Sequence, residues 1–210
     1  AISQWAGTGD EGLFLVIDYL KLVPGAGFVN FTVTISDETF ENGDVFIYNV
    51  AEQSTLQITV DDTPKVEGEY FTVVMLDPDI FQPGSPMFGS FIHGMWANVQ
   101  GGDLMTTSNE TTNVFTWYPP SPPWGAHRYT VLLFRQTTGM LDLNNMRMAA
   151  GYPNGTLKSV ANKAWFNVSS FSEKLNLDLM NGKFFYMNCQ SNCKMYCTGN
   201  EEHFFDAVGS

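Results

Sequence analysis

Apolar and polar positions alternate, or gather into short β-branched and aromatic runs, over residues 13–19, 28–35, 44–49, 55–60, 70–76, 92–99, 113–118 and 129–134. Each of these blocks predicts a strand. Gly, Pro, Asn and Asp punctuate nearly every interval between them, as turns require. Helical periodicity is confined to shorter pieces: residues 143–149, residues 159–166 with an extension toward Leu175, and a C-terminal stretch at 190–196. Many strands joined by few helix-length segments predict a mainly β fold, an antiparallel β-sandwich with a few short peripheral helices, rather than a parallel βαβ sheet. No internal repeat, low-complexity tract or linker divides the chain. The expectation is a single domain over residues 1–210, carrying a Cys-containing C-terminal segment at 187–210.

Composition narrows the partners. Aromatic residues make up 14% of the chain and charged residues only 15%, which is too apolar for disorder and suits a sizeable core. Ten Lys and Arg against 22 Asp and Glu give a formal charge of −12. That field repels phosphate backbones, so nucleic acid is not an expected partner, and a phosphate-bearing ligand has to be held by local donors. No run approaches the ~20 apolar residues of a transmembrane helix, and no basic segment followed by an apolar one opens the chain.

The candidate chemistry begins where the apolar run Phe71–Leu76 ends in Asp77-Pro78-Asp79. A strand there delivers two carboxylates to a sheet rim, and Pro78 fixes its own φ while withholding an N–H from further pairing. Later blocks supply His93, in Phe91-Ile92-His93-Gly94-Met95-Trp96-Ala97-Asn98, and His127-Arg128-Tyr129, which follows the proline-rich turn Pro119-Pro120-Ser121-Pro122-Pro123-Trp124-Gly125. Two adjacent carboxylates do not both stay ionised cheaply, so one holds a proton or binds a cationic histidine, and the cluster can both donate and accept. In that cluster His127 and Tyr129 are anion donors, and Arg128 is a donor to the ligand or a brace for a carboxylate.

These three ordered blocks resemble the phosphatidylethanolamine-binding protein family. Weaker matches lie at Val23-Pro24-Gly25, at Phe31-Thr32-Val33-Thr34 and at Phe166-Asn167-Val168-Ser169-Ser170-Phe171. The resemblance implies a large central sheet packed on a smaller one. It also implies that Asp77, Pro78, Asp79, His93, His127 and Tyr129 line a small cavity for a phosphate-like headgroup. Tyr186, in a segment similar to the family's last strand, is a candidate for the far wall, and Trp124 a candidate lid at the rim. Where the family pattern has Gly-x-Gly-Pro-Pro-x-Gly before the second histidine, this chain has prolines that lack N–H donors, so the expectation is either a weaker grip on an anion or a preference for a less charged ligand. Family members include protease inhibitors, kinase regulators and plant flowering signals, and inhibition can use surfaces away from the pocket.

The expected function is therefore capture of a small phosphate-bearing or other anionic ligand, with serine protease or carboxypeptidase inhibition as a second activity and no cofactor. The alternative is an isomerase, cyclase or hydrolase using Asp77 or Asp79 with His93 or His127 as an acid–base pair. No Gly-x-Ser-x-Gly elbow, P-loop or His-Glu-x-x-His motif accompanies them. Acceptor triplets for N-glycosylation begin at Asn30, Asn109, Asn154 and Asn167. With the cysteines, they favour a secreted or extracytosolic glycoprotein over a cytoplasmic one. Cys189, Cys193 and Cys197 fall at i, i+4 and i+8. One local disulfide with a free thiol fits an oxidised turn. A zinc site completed by His203 is disfavoured, because this spacing is not a structural-zinc pattern.

Overall fold

The computed structural model describes residues 9–25, 29–35, 38–46, 56–60, 66–80, 89–101, 104–106, 113–122, 126–152 and 163–188. Along them run α1 (Gly9–Tyr19), β1 (Phe31–Ile35), β2 (Glu38–Thr39), β3 (Asp44–Phe46), β4 (Leu56–Val60), β5 (Tyr70–Asp77), β6 (Phe91–Val99), β7 (Leu104–Thr106), β8 (Asn113–Phe115), β9 (Ala126–Gln136), α2 (Leu143–Ala149), α3 (Val168–Leu175) and β10 (Leu177–Asn188). The strands form a four-stranded sheet in the order β2-β1-β4-β7 and a six-stranded sheet in the order β3-β10-β9-β5-β6-β8. The fold is mainly β, as the alternation predicts. The pairing departs from purely antiparallel at one edge, where β3 runs parallel to β10.

Two apolar layers hold the sheets in place. β1 and β4 alternate buried and half-buried residues, so each has one core face. Phe31, Val33, Ile35, Leu56, Ile58 and Val60 pack with Val73, Met75, Trp96, Val131 and Leu133 of the larger sheet. On the other face of that sheet, Val74, Leu76, Leu132, Phe134 and Phe184 pack with Leu13, Val16 and Ile17 of α1, Met146 of α2 and Phe171 of α3. β5 and β9 are thus covered on both faces, which is why their sequences read as nearly unbroken apolar runs rather than alternating ones. At ~1.5–3 kcal/mol per buried large side chain, these two layers dominate the favourable side of folding.

One predicted strand is a helix. Residues 13–19 lie in α1, where Leu13, Val16 and Ile17 are buried, as is Leu20 just past its end, while Phe14 and Leu15 face outward. That spacing of i, i+3, i+4 and i+7 is a helical stripe, and the continuous apolar run had hidden it. The helix ends in a Schellman arrangement, with Leu22 N–H donating to Ile17 O at 3.1 Å, Lys21 N–H donating to Asp18 O at 2.9 Å, and Lys21 at φ 55°. A second correction concerns the predicted helix at 159–166, of which 159–162 lie outside the described residues. Trp165 at φ 71° breaks helical geometry, and the Asn167 side chain accepts from Ser170 N–H, so the helix starts only at Val168. The helix predicted at 143–149 is present with those bounds, capped by Asp142. Strand predictions over 113–118 shorten to β8, because Tyr118 leaves the ladder and donates its N–H to His93 O at 2.7 Å. The helix predicted at 190–196 lies outside the described residues. Among the described residues no helix is long and apolar enough to cross a membrane.

Candidate functional site

β5 and β9 run antiparallel through the middle of the larger sheet, with Leu76 opposite Thr130, so Asp77 and the turn after it meet the first residues of β9. Successive side chains of a strand point to opposite faces. In β9, Tyr129, Val131 and Leu133 belong to the layer between the sheets, whereas Leu132 and Phe134 belong to the layer under the helices. His127 follows the first parity and Arg128 the second. The two carboxylates of Asp77-Pro78-Asp79 are divided in the same way, Asp77 to His127 and Asp79 to Arg128.

On the intersheet side, His127 Nδ1–H donates to Asp77 Oδ2 at 2.7 Å, and Asp77 Oδ1 accepts from Asp79 N–H at 2.7 Å. Both side chains are fully enclosed. Burial holds the Asp77 carboxyl above the usual carboxylate range, against the pull of His127. His93 in β6 sends Nδ1–H to Tyr118 O at 2.7 Å, which leaves Nε2 as the lone-pair nitrogen of a neutral ring. Burial pushes its pKa down to about 3, with the nearby Lys163 and His127 charges adding to that shift. The His93 ring stands edge-on to Tyr129 at 5.0 Å, and Tyr129 stacks on Phe185 at 5.4 Å. The Tyr129 hydroxyl is buried, and the Ser121 backbone approaches it without closing a hydrogen bond among the described residues. Burial raises its pKa well above that of an ordinary phenol, with the Asp77 charge assisting, so it remains a donor.

On the helix side, Asp79 is fully engaged by Arg128. Its Oδ2 accepts from the Arg128 backbone N–H at 2.9 Å and from Nε at 2.7 Å, and its Oδ1 accepts from Nη2 at 2.5 Å. This bidentate pair is almost completely buried. Burial opposes the guanidinium charge, but Asp79 outweighs it and the Arg128 pKa is raised. Tyr19, at the end of α1, lies 5.0 Å beneath the guanidinium and donates its hydroxyl to Pro78 O at 3.3 Å, tying helix, turn and strand together. Its phenol is pushed up to about 12, first by burial and then by the Asp79 charge. Each carboxylate thus has its own hydrogen-bond partner, His127 for Asp77 and Arg128 for Asp79.

The sequence-derived residues sort accordingly. Asp77, His93, His127 and Tyr129 come together on one face, with Pro78 forming the turn between the two carboxylates. Asp79 braces that turn from the other face. Tyr186 packs edge-on against Phe184 in the helix-side layer beside Arg128, not with His93. Asn98 of the His93–Asn98 block lies at the opposite end of β6, exchanging hydrogen bonds with Gln136 and Leu141. Asn30 is exposed ahead of β1, and Asn167 is exposed with its side-chain oxygen used as the α3 cap. Trp124, Asn109, Asn154, Cys189, Cys193, Cys197 and His203 lie outside the described residues. Phe91, Tyr118, Lys163 and Tyr19 escaped the sequence reading. Phe91 entered only as the first residue of the His93 block and Tyr118 only as the flank of the proline-rich turn, while Lys163 and Tyr19 belong to no motif. A separate groove of about 450 Å³ lies between the end of α1 and the start of α3, lined by Tyr19, Lys21, Ser90, Trp165 and Glu173 among others. Of the residues around the carboxylates it touches only Tyr19.

The chain is 31% identical to Protein FLOWERING LOCUS T of Arabidopsis thaliana over 137 residues, covering 62% of this chain and 67% of that protein. It is 28% identical to Protein TWIN SISTER of FT of Arabidopsis thaliana over 171 residues, covering 80% and 84%. Among solved structures, its fold matches a carboxypeptidase Y inhibitor complexed with the cognate proteinase, with a TM-score of 0.59 at 18% identity over 85% of this chain and 92% of that one. It likewise matches the phosphatidylethanolamine-binding protein of Plasmodium falciparum, with a TM-score of 0.57 at 16% identity over 83% and 93%. With its two sheets arranged as in those structures, and residues 34–169 matching the family model described as phosphatidylethanolamine-binding protein, the chain belongs to the phosphatidylethanolamine-binding protein family.

Proposed function

We propose that this chain is a small-ligand-binding protein whose site, formed by Asp77, His93, His127 and Tyr129, captures a phosphate-like anion. The observation that carries this reading is the Tyr129 hydroxyl, buried and without an acceptor among the described residues, beside a histidine–carboxylate pair. An unmet buried donor costs about 1–3 kcal/mol, which an anion oxygen would recover. With Asp77 paired to His127 and Asp79 to Arg128, neither carboxylate presents a bare charge to an entering anion. The state of His93 favours binding over acid–base catalysis. A base held at about pKa 3 is poorly matched to proton transfer near neutrality, and among the described residues no nucleophile is hydrogen-bonded to either histidine.

Titration calorimetry of inorganic phosphate against the full chain, Tyr129→Phe and His127→Ala tests the reading. Saturable binding that falls by about tenfold in Tyr129→Phe and disappears in His127→Ala is expected, with near-ultraviolet circular dichroism confirming that both variants fold. Equal binding by all three proteins would refute it. The fold likeness to a carboxypeptidase Y inhibitor supports a second reading, carboxypeptidase inhibition. That reading is tested by titrating the chain into a carboxypeptidase assay, where undiminished hydrolysis at excess chain counts against it.

A further inference from the structure

Lys163 precedes α3, in the segment where Phe166 pairs with Ser90 at the head of β6. It is only 8% exposed, yet among the described residues neither a carboxylate nor a carbonyl meets its ammonium. The stem accounts for most of that burial, and the ammonium is half-desolvated, enough to lower its pKa. Two ring faces offset part of that cost, with Nζ 4.2 Å from the centroid of Tyr118 and 6.0 Å from that of Phe91. Those same rings flank His93, at 5.8 Å and 4.9 Å between centroids, and the Tyr118 carbonyl fixes the His93 tautomer. Lys163, the Tyr118–Phe91 pair, His93 and Tyr129 thus form a run of tilted and edge-on ring contacts that leads to the proposed anion site.

We infer that Lys163 sets the charge selectivity of that site. Its ammonium occupies the aromatic face that a ligand's own ammonium would need, so the site takes anions without an attached cation, inorganic phosphate and simple phosphomonoesters, in preference to zwitterionic headgroups such as phosphoethanolamine. The physical basis has two parts. A cation over a ring face is stabilised by the ring quadrupole, and a face already filled offers nothing to a second cation. A like charge brought beside Lys163 is also repelled in a poorly screened environment, while an anion is attracted. The Lys163 charge also acts in the direction that lowers the His93 pKa, behind burial as the main cause.

This inference rests on the anion-site reading above, and the experiment separates the two. Inorganic phosphate and phosphoethanolamine are titrated into the full chain, Lys163→Met and Lys163→Arg. Methionine keeps an apolar stem over the rings without the charge, and arginine keeps the charge. The wild type is expected to prefer phosphate by about tenfold or more, the contribution of one unit charge at a poorly solvated site. Lys163→Met should lose about fivefold in phosphate affinity and gain in phosphoethanolamine affinity, removing the preference, while Lys163→Arg retains it. If the wild type binds both ligands equally, or if Lys163→Met preserves the ratio, the selectivity role is overturned and the anion site stands. If the wild type binds no phosphate, the anion site falls and the selectivity role falls with it.

Discussion

Acidification should destabilise this protein through His93. The ring is buried and neutral in the folded chain, with its pKa pushed from 6.5 down to about 3, mainly by burial. Below pH 6.5 the unfolded chain takes up a proton that the native chain refuses until about pH 3. Stability is therefore lost as pH falls through that window and is fully retained above it. Integrating the two titrations from pH 7 to pH 5 gives a loss of about 2 kcal/mol from this one group. Asp77 works in the opposite sense, because its folded pKa is raised and the native state holds its proton more readily. The two effects are separated by His93→Gln, which retains an amide donor for Tyr118 O but does not titrate. Urea unfolding of both proteins, followed by tryptophan fluorescence at pH 7, 6 and 5, is the assay. The wild type should lose about 2 kcal/mol more than the variant between the extremes, since the Asp77 contribution is common to both. Parallel stability profiles for the two proteins would refute a buried neutral His93.

Three further outcomes follow from contacts described above. Lys21→Gly places glycine at the left-handed residue of the α1 Schellman turn and should raise stability by about 1 kcal/mol, seen as a small upward shift in Tm; an unchanged or lower Tm contradicts that turn geometry. Asp79→Asn strips a buried guanidinium of its carboxylate and should cost about 3–5 kcal/mol in urea unfolding, whereas a cost below ~1 kcal/mol would mean that Arg128 is solvated or otherwise neutralised. Asn98→Ala removes both side-chain partners of the Gln136 and Leu141 network and should cost about 2–3 kcal/mol, while inorganic phosphate affinity by calorimetry stays unchanged because the network lies at the far end of β6.

Strands β5, β6 and β9 were legible in the sequence because they depend on local pattern, whereas β10 lies in no predicted strand block and the grouping of Asp77, His93, His127 and Tyr129 came from the family resemblance of three ordered blocks. A strand buried on both faces writes a continuous apolar run, and an Asp-Pro-Asp at its end has to sit at a sheet rim. α1 was misread for the same reason: Leu13–Ile17 is an unbroken apolar block, and such a block does not distinguish a buried strand from a helix stripe until the exposure of Phe14 and Leu15 is seen. The division of labour between Asp77 and Asp79 was not legible either. It follows from the face to which each neighbour in β9 points, and hence from strand pairing across about 50 residues of sequence. Lys163 was hidden further still, since the Ser90–Phe166 bridge that brings its segment to the head of β6 joins residues distant in sequence.

The separation of His127 and Arg128 to opposite faces of β9 also determines which lengths of chain this architecture tolerates. Inserting one residue into β9 between Arg128 and Val131 would flip both side chains, sending the guanidinium between the sheets and the imidazole under α1. Inserting two residues would preserve the faces and merely lengthen the rim. The odd–even arithmetic of a single strand therefore couples the integrity of the helix-side brace to that of the intersheet site, so length variants that keep one and lose the other are structurally inaccessible at this point in the chain.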